Sequence, residues 1–372
     1  MIFFAILAFV IILGLLIFVH ELGHFVMAKR AGMRVDEFGF GFPPRLFGIR
    51  RGETIYSINW IPLGGFVKIY GEDGGEHSDP RAFGNKGFWA RFRVLIAGVT
   101  MNFILGWFLI FLGFWIVGTP VQVGEGVDLG RGAKLTETQL SVIGVQADSP
   151  AAAAGFRAGD TILAVDGRRF ERIEDLIAYN KEKAGTPVVY KFERGSEVFT
   201  KEVVPRVNPG PEEGPVGFQP AMTALVKYPL LSAVGYSFQS FISRTWGILS
   251  AFGELFRSLA STGHLTKGLS GPVGIAVLTR DVTALGLVYL LQFTAMLSIN
   301  LAILNAVPFP ALDGGRILFL VIEKIRGVRS LKWEQVANLV GFALLILLMI
   351  AVTFGDVNRY SEQFKNLFER IM

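Results

Sequence analysis

Long apolar runs alternate along the chain with stretches of ordinary soluble composition. Residues 2 to 19 hold no charge and no strongly polar group, and the run continues to about residue 28, where Lys29-Arg30 ends it. Such a length crosses a bilayer as a helix. Comparable runs at 94–117, about 285–307 and 337–354 predict three further spans. Residues 229 to 261 are also apolar and helical by period, but they carry Gln239, Arg244, Glu254 and Arg257. That pattern predicts an amphipathic helix lying at the outer surface rather than a fifth span. Between the first two spans, 35–44, 54–60 and 61–69 read as three short strands separated by turns. They form a β element beside the membrane, able to dip into the bilayer where it packs on protein.

Residues 118–208 read as an inserted α+β domain. Within 148–167 the order is a turn, a short helix, a Gly-Asp turn, a strand and a second turn. A helix at about 171–183 and strands at about 187–193 and 197–204 follow. The Pro- and Gly-rich stretch at 208–217 reads as a linker, and the segment 209–284 as that linker plus the surface helix. The third membrane element, 285–322, leads into a cytoplasmic loop at 323–336, and a charged tail occupies 355–372. The expected fold is a polytopic α-helical membrane protein with four transmembrane helices, a membrane-associated β element and one inserted domain.

Composition strengthens this picture. The chain is 51% hydrophobic with 33 Phe and no Cys, and its mean hydropathy is +0.47. Without Cys there are no disulfides and no thiolate metal ligands, which leaves imidazole and carboxylate. The net charge is only +5, and no basic run is interleaved with aromatics, so nucleic acid is excluded as a partner. Basic residues crowd the ends of 29–93, which places that loop in the cytoplasm and both termini and the insert outside. The first run lacks a basic leader region, so it reads as a retained helix and not a removable signal peptide.

The first polar side chains to appear are His20, Glu21 and His24, in the pattern H-E-x-x-H. On a helix, i and i+4 share a face, so both imidazoles reach one metal ion while Glu21 serves as base toward water there. Ionisable groups inside a span read as functional. A catalytic zinc takes three protein ligands. His77 and His264 are the remaining histidines, and the downstream position of an extended H-E-x-x-H motif falls on Arg30. Glu37 or Glu53 could supply the third ligand. So could Asp313, in Asn305-Ala306-Val307-Pro308-Phe309-Pro310-Ala311-Leu312-Asp313-Gly314-Gly315, where two prolines break the helix after a span.

Together, H-E-x-x-H and N-x-x-P-x-P-x-L-D-G resemble the site-2 protease family of intramembrane zinc metalloproteases. The G-F-G-F stretch at 39–42, P-L-G-G-F-V-K at 62–68 and S-G-P-x-G at 270–274 resemble its bacterial branch that cleaves anti-sigma factors. The segment 148–167 resembles a PDZ domain, present here once. The resemblance implies that His20, His24 and Asp313 hold zinc, that Glu21 is the general base, and that Asn305 hydrogen-bonds substrate backbone or the oxyanion. It implies single-span membrane substrates such as anti-sigma factors or signal-peptide remnants, a site-1 protease acting first, and a bacterial inner membrane as the location. Gly39, Gly41, Gly64 and Gly65 suit close approach of an extended substrate. The PDZ-like domain would bind an exposed carboxyl terminus or act as a size filter. Asn102, the strongly polar residue of the second span, reads as an interhelical hydrogen bond. One geometric condition follows. Asp313 reaches the leaflet of His20 and His24 only if residues 229–261 do not cross the membrane.

Overall fold

The structure, a computed structural model, describes residues 2–72, 78–124, 129–195, 197–210, 213–262, 270–327, 331–359 and 361. His77, His264 and most of the expected tail at 355–372 lie outside the described residues. The chain divides into two compact units, one comprising 1–109, 240–280 and 293–372, the other 110–239 and 281–292.

The first unit opens with α1 (Ile2–Arg30), uninterrupted by Pro and closed by a C-terminal cap. Gly32 takes φ 65°, and the Met33 amide returns to the Ala28 carbonyl at 2.9 Å. Two strands follow, β1 (Val35–Arg51) and β2 (Thr54–Ile69). Three short strands were expected, but these two are long and bent. Residues 37–40 pair with both 65–68 and 55–58, while 45–51 pair back onto 54–59. The hydrogen-bonded order is therefore 65–69, 35–40, 54–59, 45–51. Gly41, at φ 81°, makes the bend possible, because a Cβ there would lie 2.6 Å from the Ile61 carbonyl oxygen. Phe42, Leu46, Phe47, Ile58, Trp60 and Ile61 are exposed on this element.

α2 (Phe88–Leu112) begins six residues before the expected span and ends in a π-turn at Gly113–Val117. The second unit is built on an antiparallel sheet of β3 (Thr119–Gln122), β4 (Lys134–Leu135), β5 (Gln139–Val145), β6 (Thr161–Val165), β7 (Val188–Arg194), β8 (Glu197–Val203) and β9 (Phe218–Lys227). The order is β3-β9-β5-β6-β7-β8, with β4 also on β9. Two helices pack on it, α3 (Pro150–Ala153) and α4 (Ile173–Glu182). Leu140, Val142, Val165, Leu176, Val188, Tyr190 and Phe192 form its core.

β9 falls between the expected linker at 208–217 and the expected surface helix at 229–261, where no strand was expected. Its Pro220 cannot donate to a ladder, and it is accommodated opposite Val142 at the β-bulge between Val142 and Gly144. The 148–167 segment is fixed by local chemistry. Ser149 caps α3 by accepting from the Ala152 amide at 3.1 Å, and Gly155 and Gly159 take positive φ. Asp160 is fully buried and held by Arg194 at 2.6 and 2.7 Å.

The remaining helices are α5 (Leu230–Thr262), α6 (Pro272–Leu285), α7 (Leu287–Ala306), α8 (Asp313–Arg326) and α9 (Leu331–Arg359). Four helices among the described residues are long and apolar enough to cross a membrane, at 3–30, 88–117, 287–306 and 332–359, and α5 is not one of them. Of the expected cytoplasmic loop at 323–336, residues 323–326 end α8 and residues 331–336 begin α9. At 270–274 the start of α6 is capped from a distance, because the buried Asp356 of α9 accepts from Gly271 and Gly274 amides at 2.8 and 2.7 Å.

Candidate metal centre

α1 presents His20 and His24 one turn apart, both buried. His24 Nδ1 lies 2.8 Å from the carbonyl oxygen of Val94 on α2. A carbonyl only accepts, so Nδ1 carries the proton, and in the neutral ring Nε2 then presents a bare lone pair. His20 Nδ1 lies 3.3 Å from Nδ2 of Asn102, two turns further along α2. Between those two positions is Gly98, against which both rings rest. A Cβ there would run into His24 Nε2 and lie 2.7 Å from His20 Cε1 and Nε2. Gly23, inside the H-E-x-x-H motif, serves the same fit from the other side. Its own Cβ would lie 2.5 Å from the Ala97 carbonyl oxygen.

Asp313 arrives from a different part of the chain. α7 ends at Ala306, because Pro308 and Pro310 offer no amide to continue it. The connecting loop is tied to α9, where Ala311, at φ 74°, donates its amide to Asn338 Oδ1 at 3.0 Å. Gly314 and Gly315 let the first turn of α8 lie under the carbonyls of Ala306, Val307 and Phe309, where a Cβ would collide. α8 is then clamped along its length. Arg91 donates twice to Glu323 at 2.8 and 2.7 Å, and Arg316 pairs with Glu72 at 2.6 Å.

The three side chains converge. Asp313 Oδ2 lies 2.9 Å from His20 Nε2 and 3.2 Å from His24 Nε2, and the two Nε2 atoms are 3.2 Å apart. Zinc bonds of about 2.0–2.1 Å in a tetrahedral site separate ligand atoms by roughly 3.3 Å, so the triangle has the right size for the ion. Asp313 Oδ2 is buried and has no aligned hydrogen-bond donor. A buried carboxylate oxygen facing two imidazole nitrogens without an aligned donor is a donor set for a cation. Among the described residues, no other group of three His, Cys, Asp or Glu gathers its ligand atoms within 4.8 Å.

Glu21 is half-buried on the same helix, and Gly65 of β2 sits beside it, its hypothetical Cβ 3.7 Å from Glu21 Cγ and 3.1 Å from the Gly39 carbonyl oxygen. Gly64, at φ 110°, packs on Ile17 of α1, while Gly39 lies under Phe66 and Ser57 and Gly41 makes the strand bend. Glu37 and Glu53 do not join the centre. Glu37 pairs with Arg45 at 2.7 Å, and Glu53 with Lys29 at 2.9 Å and Arg81 at 2.8 Å. The hydrogen bond from Lys29, with Arg81 adding, holds the Glu53 carboxyl below the usual carboxylate range. Asn305 is half-buried near the end of α7 and makes no side-chain hydrogen bond among the described residues.

Sequence reasoning missed Val94 and Gly98. A backbone carbonyl and an absent side chain leave no residue signature, although the spacing 94, 98, 102 places all three on one face of α2. The second unit carries a separate feature, a cavity of about 820 Å³ between α4, the end of β5 and the residues leading into β9. Leu176, Ile177, Asn180 and Lys181 form one wall, and Pro215 to Pro220 the other.

The profile of peptidase family M50 matches residues 8–348. A Clostridium perfringens protein named as a candidate zinc metalloprotease is 35% identical, the match covering 96% of this chain and 98% of that one. The regulator of sigma-W protease RasP of Bacillus subtilis is 31% identical, covering 95% and 98%. Zinc metalloprotease RasP of Shouchella clausii is 30% identical, covering 95% and 98%. Among solved structures, the PDZ domain of an SdrC-like protein from Listeria monocytogenes is 26% identical over 23% of this chain and 92% of that one, with a TM-score of 0.21.

Proposed function

The chain belongs to peptidase family M50, the site-2 protease family of zinc metalloproteases, and from that membership we propose that it cleaves peptide bonds within or beside the spans of single-span membrane proteins. The observation that carries this reading is the buried meeting of His20 Nε2, His24 Nε2 and Asp313 Oδ2, with no aligned donor on the carboxylate. These three residues hold the zinc. When bound, the ion supplies Lewis-acid activation of water and of the scissile carbonyl.

Glu21 is the general base. It takes the proton from the attacking water and later delivers it to the leaving amide nitrogen. His24 keeps its metal-facing lone pair because Val94 holds the proton on the other nitrogen. The substrate enters extended, since a helical segment hides its carbonyl carbons behind its own hydrogen bonds. Residues 65–69 form an outer segment of the β element with Gly65 beside Glu21, which suits strand addition past the base. Asn305 then binds substrate backbone or the oxyanion.

The centre faces the cytoplasmic side, with both termini and the insert outside, and a bacterial inner membrane is the setting. The insert is read as a PDZ-type domain from its Ser149 cap, its Gly159-Asp160 turn and its element order. Its cavity at α4 takes an exposed peptide terminus or screens substrates by size. Anti-sigma factors trimmed beforehand by a site-1 protease fit this reading, as do signal-peptide remnants. The name of the Bacillus subtilis relative points to the first.

The test is cleavage of a reporter single-span substrate by purified protein and by Glu21→Gln, with metal analysis on both. We expect about one zinc per chain in each and a 10²–10⁴-fold lower rate in the variant, the range for a lost general base. Equal cleavage by both removes Glu21 from the mechanism.

A further inference from the structure

The centre has two imidazoles but only one with a settled partner on its far side, and the second is the more informative. Asn102 is fully buried on α2, its side-chain amide against His20 Nδ1, and its Oδ1 has no hydrogen-bond partner. With Nδ2 turned toward the ring, the amide donates to Nδ1. The ring proton of a neutral His20 then sits on Nε2, the nitrogen that faces His24 and Asp313. That proton would face only the His24 Nε2 lone pair at 3.2 Å, because Asp313 Oδ2 at 2.9 Å receives no aligned hydrogen bond. It would also block the lone pair a metal needs.

Turning the amide over exchanges two atoms of nearly the same size and removes the conflict. Oδ1 gains a donor, Nδ1 holds the proton, and Nε2 is bare. His24 already has this arrangement against the Val94 carbonyl at 2.8 Å. Val94 and Asn102 lie two turns apart on one face of α2, with Gly98 between them against the rings. One helix would thus present an oxygen acceptor to the outer nitrogen of each imidazole.

We propose that Asn102 is a positioning residue for the metal centre, its amide oxygen accepting the Nδ1 proton of His20 and so fixing the tautomer that leaves Nε2 free. This rests on the assignment of His20, His24 and Asp313 as ligands and adds a requirement for the chemistry behind the first of them. A purely structural interhelical hydrogen bond requires no particular polarity of the amide. This role requires an acceptor.

The experiment is zinc affinity of the full-length protein in detergent, by competition with a chelator. It compares wild type, His20→Ala, Asn102→Leu and Asn102→Asp, with thermal unfolding followed on each. Asn102→Leu is expected to weaken zinc 10–100-fold, the range for a lost partner behind a metal ligand. Asn102→Asp is expected to stay within a few-fold of wild type, because a carboxylate can only accept. Asn102→Asp at least tenfold weaker while folded overturns the proposal, since it makes the amide N–H the working group, and it does so even if Asn102→Leu fails to fold. A folded Asn102→Leu with wild-type affinity overturns it as well. Wild-type affinity in His20→Ala would instead bring down the ligand assignment on which the proposal stands.

Discussion

In the helical unit three buried polar side chains converge on one point, whereas in the sheet unit the cavity beside α4 is an open surface with Leu176, Ile177, Asn180 and Lys181 on one wall and Pro215 to Pro220 on the other. The first arrangement has no slack. His20, His24 and Asp313 meet within 3.2 Å, and each is held from behind by a partner on another helix or by a clamped loop. The second surface can change shape at its rim without disturbing a core built on Leu176, Tyr190 and Phe192. Buried ionisable groups cost free energy unless fully paired, so a site of the first kind fails as a whole when one member changes. A cavity wall of the second kind alters preference by degrees.

The largest expected effect tests whether the two regions are independent. Leu176 is fully buried in the sheet unit, and Leu176→Ala should destabilise that unit by about 2–5 kcal/mol through the cavity it leaves. Thermal unfolding should move markedly while zinc per chain stays at the wild-type level. A parallel loss of zinc would mean that the metal centre depends on the insert, and the division of labour drawn above would be wrong.

The converse change is Gly98→Ala. One methyl group added on α2 meets both imidazoles, and overpacking of this kind costs roughly 1–3 kcal/mol. Here zinc affinity should fall while the unfolding of the sheet unit is untouched, as read by chelator competition and circular dichroism on one preparation. Unchanged affinity would show that the rings can shift away from α2, and the claim of a centre without slack would not survive.

The same contrast explains what could be read from the chain. His20, Glu21 and His24 were legible as candidates because H-E-x-x-H places all three within about one turn of one helix. Asp313 stood out because Pro308, Pro310 and two glycines around one carboxylate have few other uses. Val94 and Gly98 were illegible, one acting through its carbonyl and the other through the side chain it lacks. Asn102 was visible as a polar residue, but only the position of His20 Nδ1 says what it faces. In the β element the segment at 45–51 escaped notice, since pairing two neighbours with one stretch of β2 is a property of the bend and not of alternation. β9 was missed through Pro220, a residue that argues against a central strand unless a bulge on its neighbour, here in β5, makes room.

The smallest effect sharpens the comparison from the side of the cavity. Lys181 is an exposed cation on the α4 wall and takes no part in the core. If the cavity receives a peptide terminus, Lys181→Glu should shift the relative cleavage of two reporters that differ only in the charge of their extracytoplasmic tails. An exposed charge is screened by solvent, so the change should be at most about fivefold, against acidic tails and toward basic ones. Cleavage of a reporter without a tail should not change, because the metal centre is not involved. If all three reporters keep their wild-type rates, tail charge is not read at this wall, and screening by size becomes the better account of the insert. If all three slow together, the two regions are coupled after all, and the coupling would have to be sought in the same measurement on Leu176→Ala.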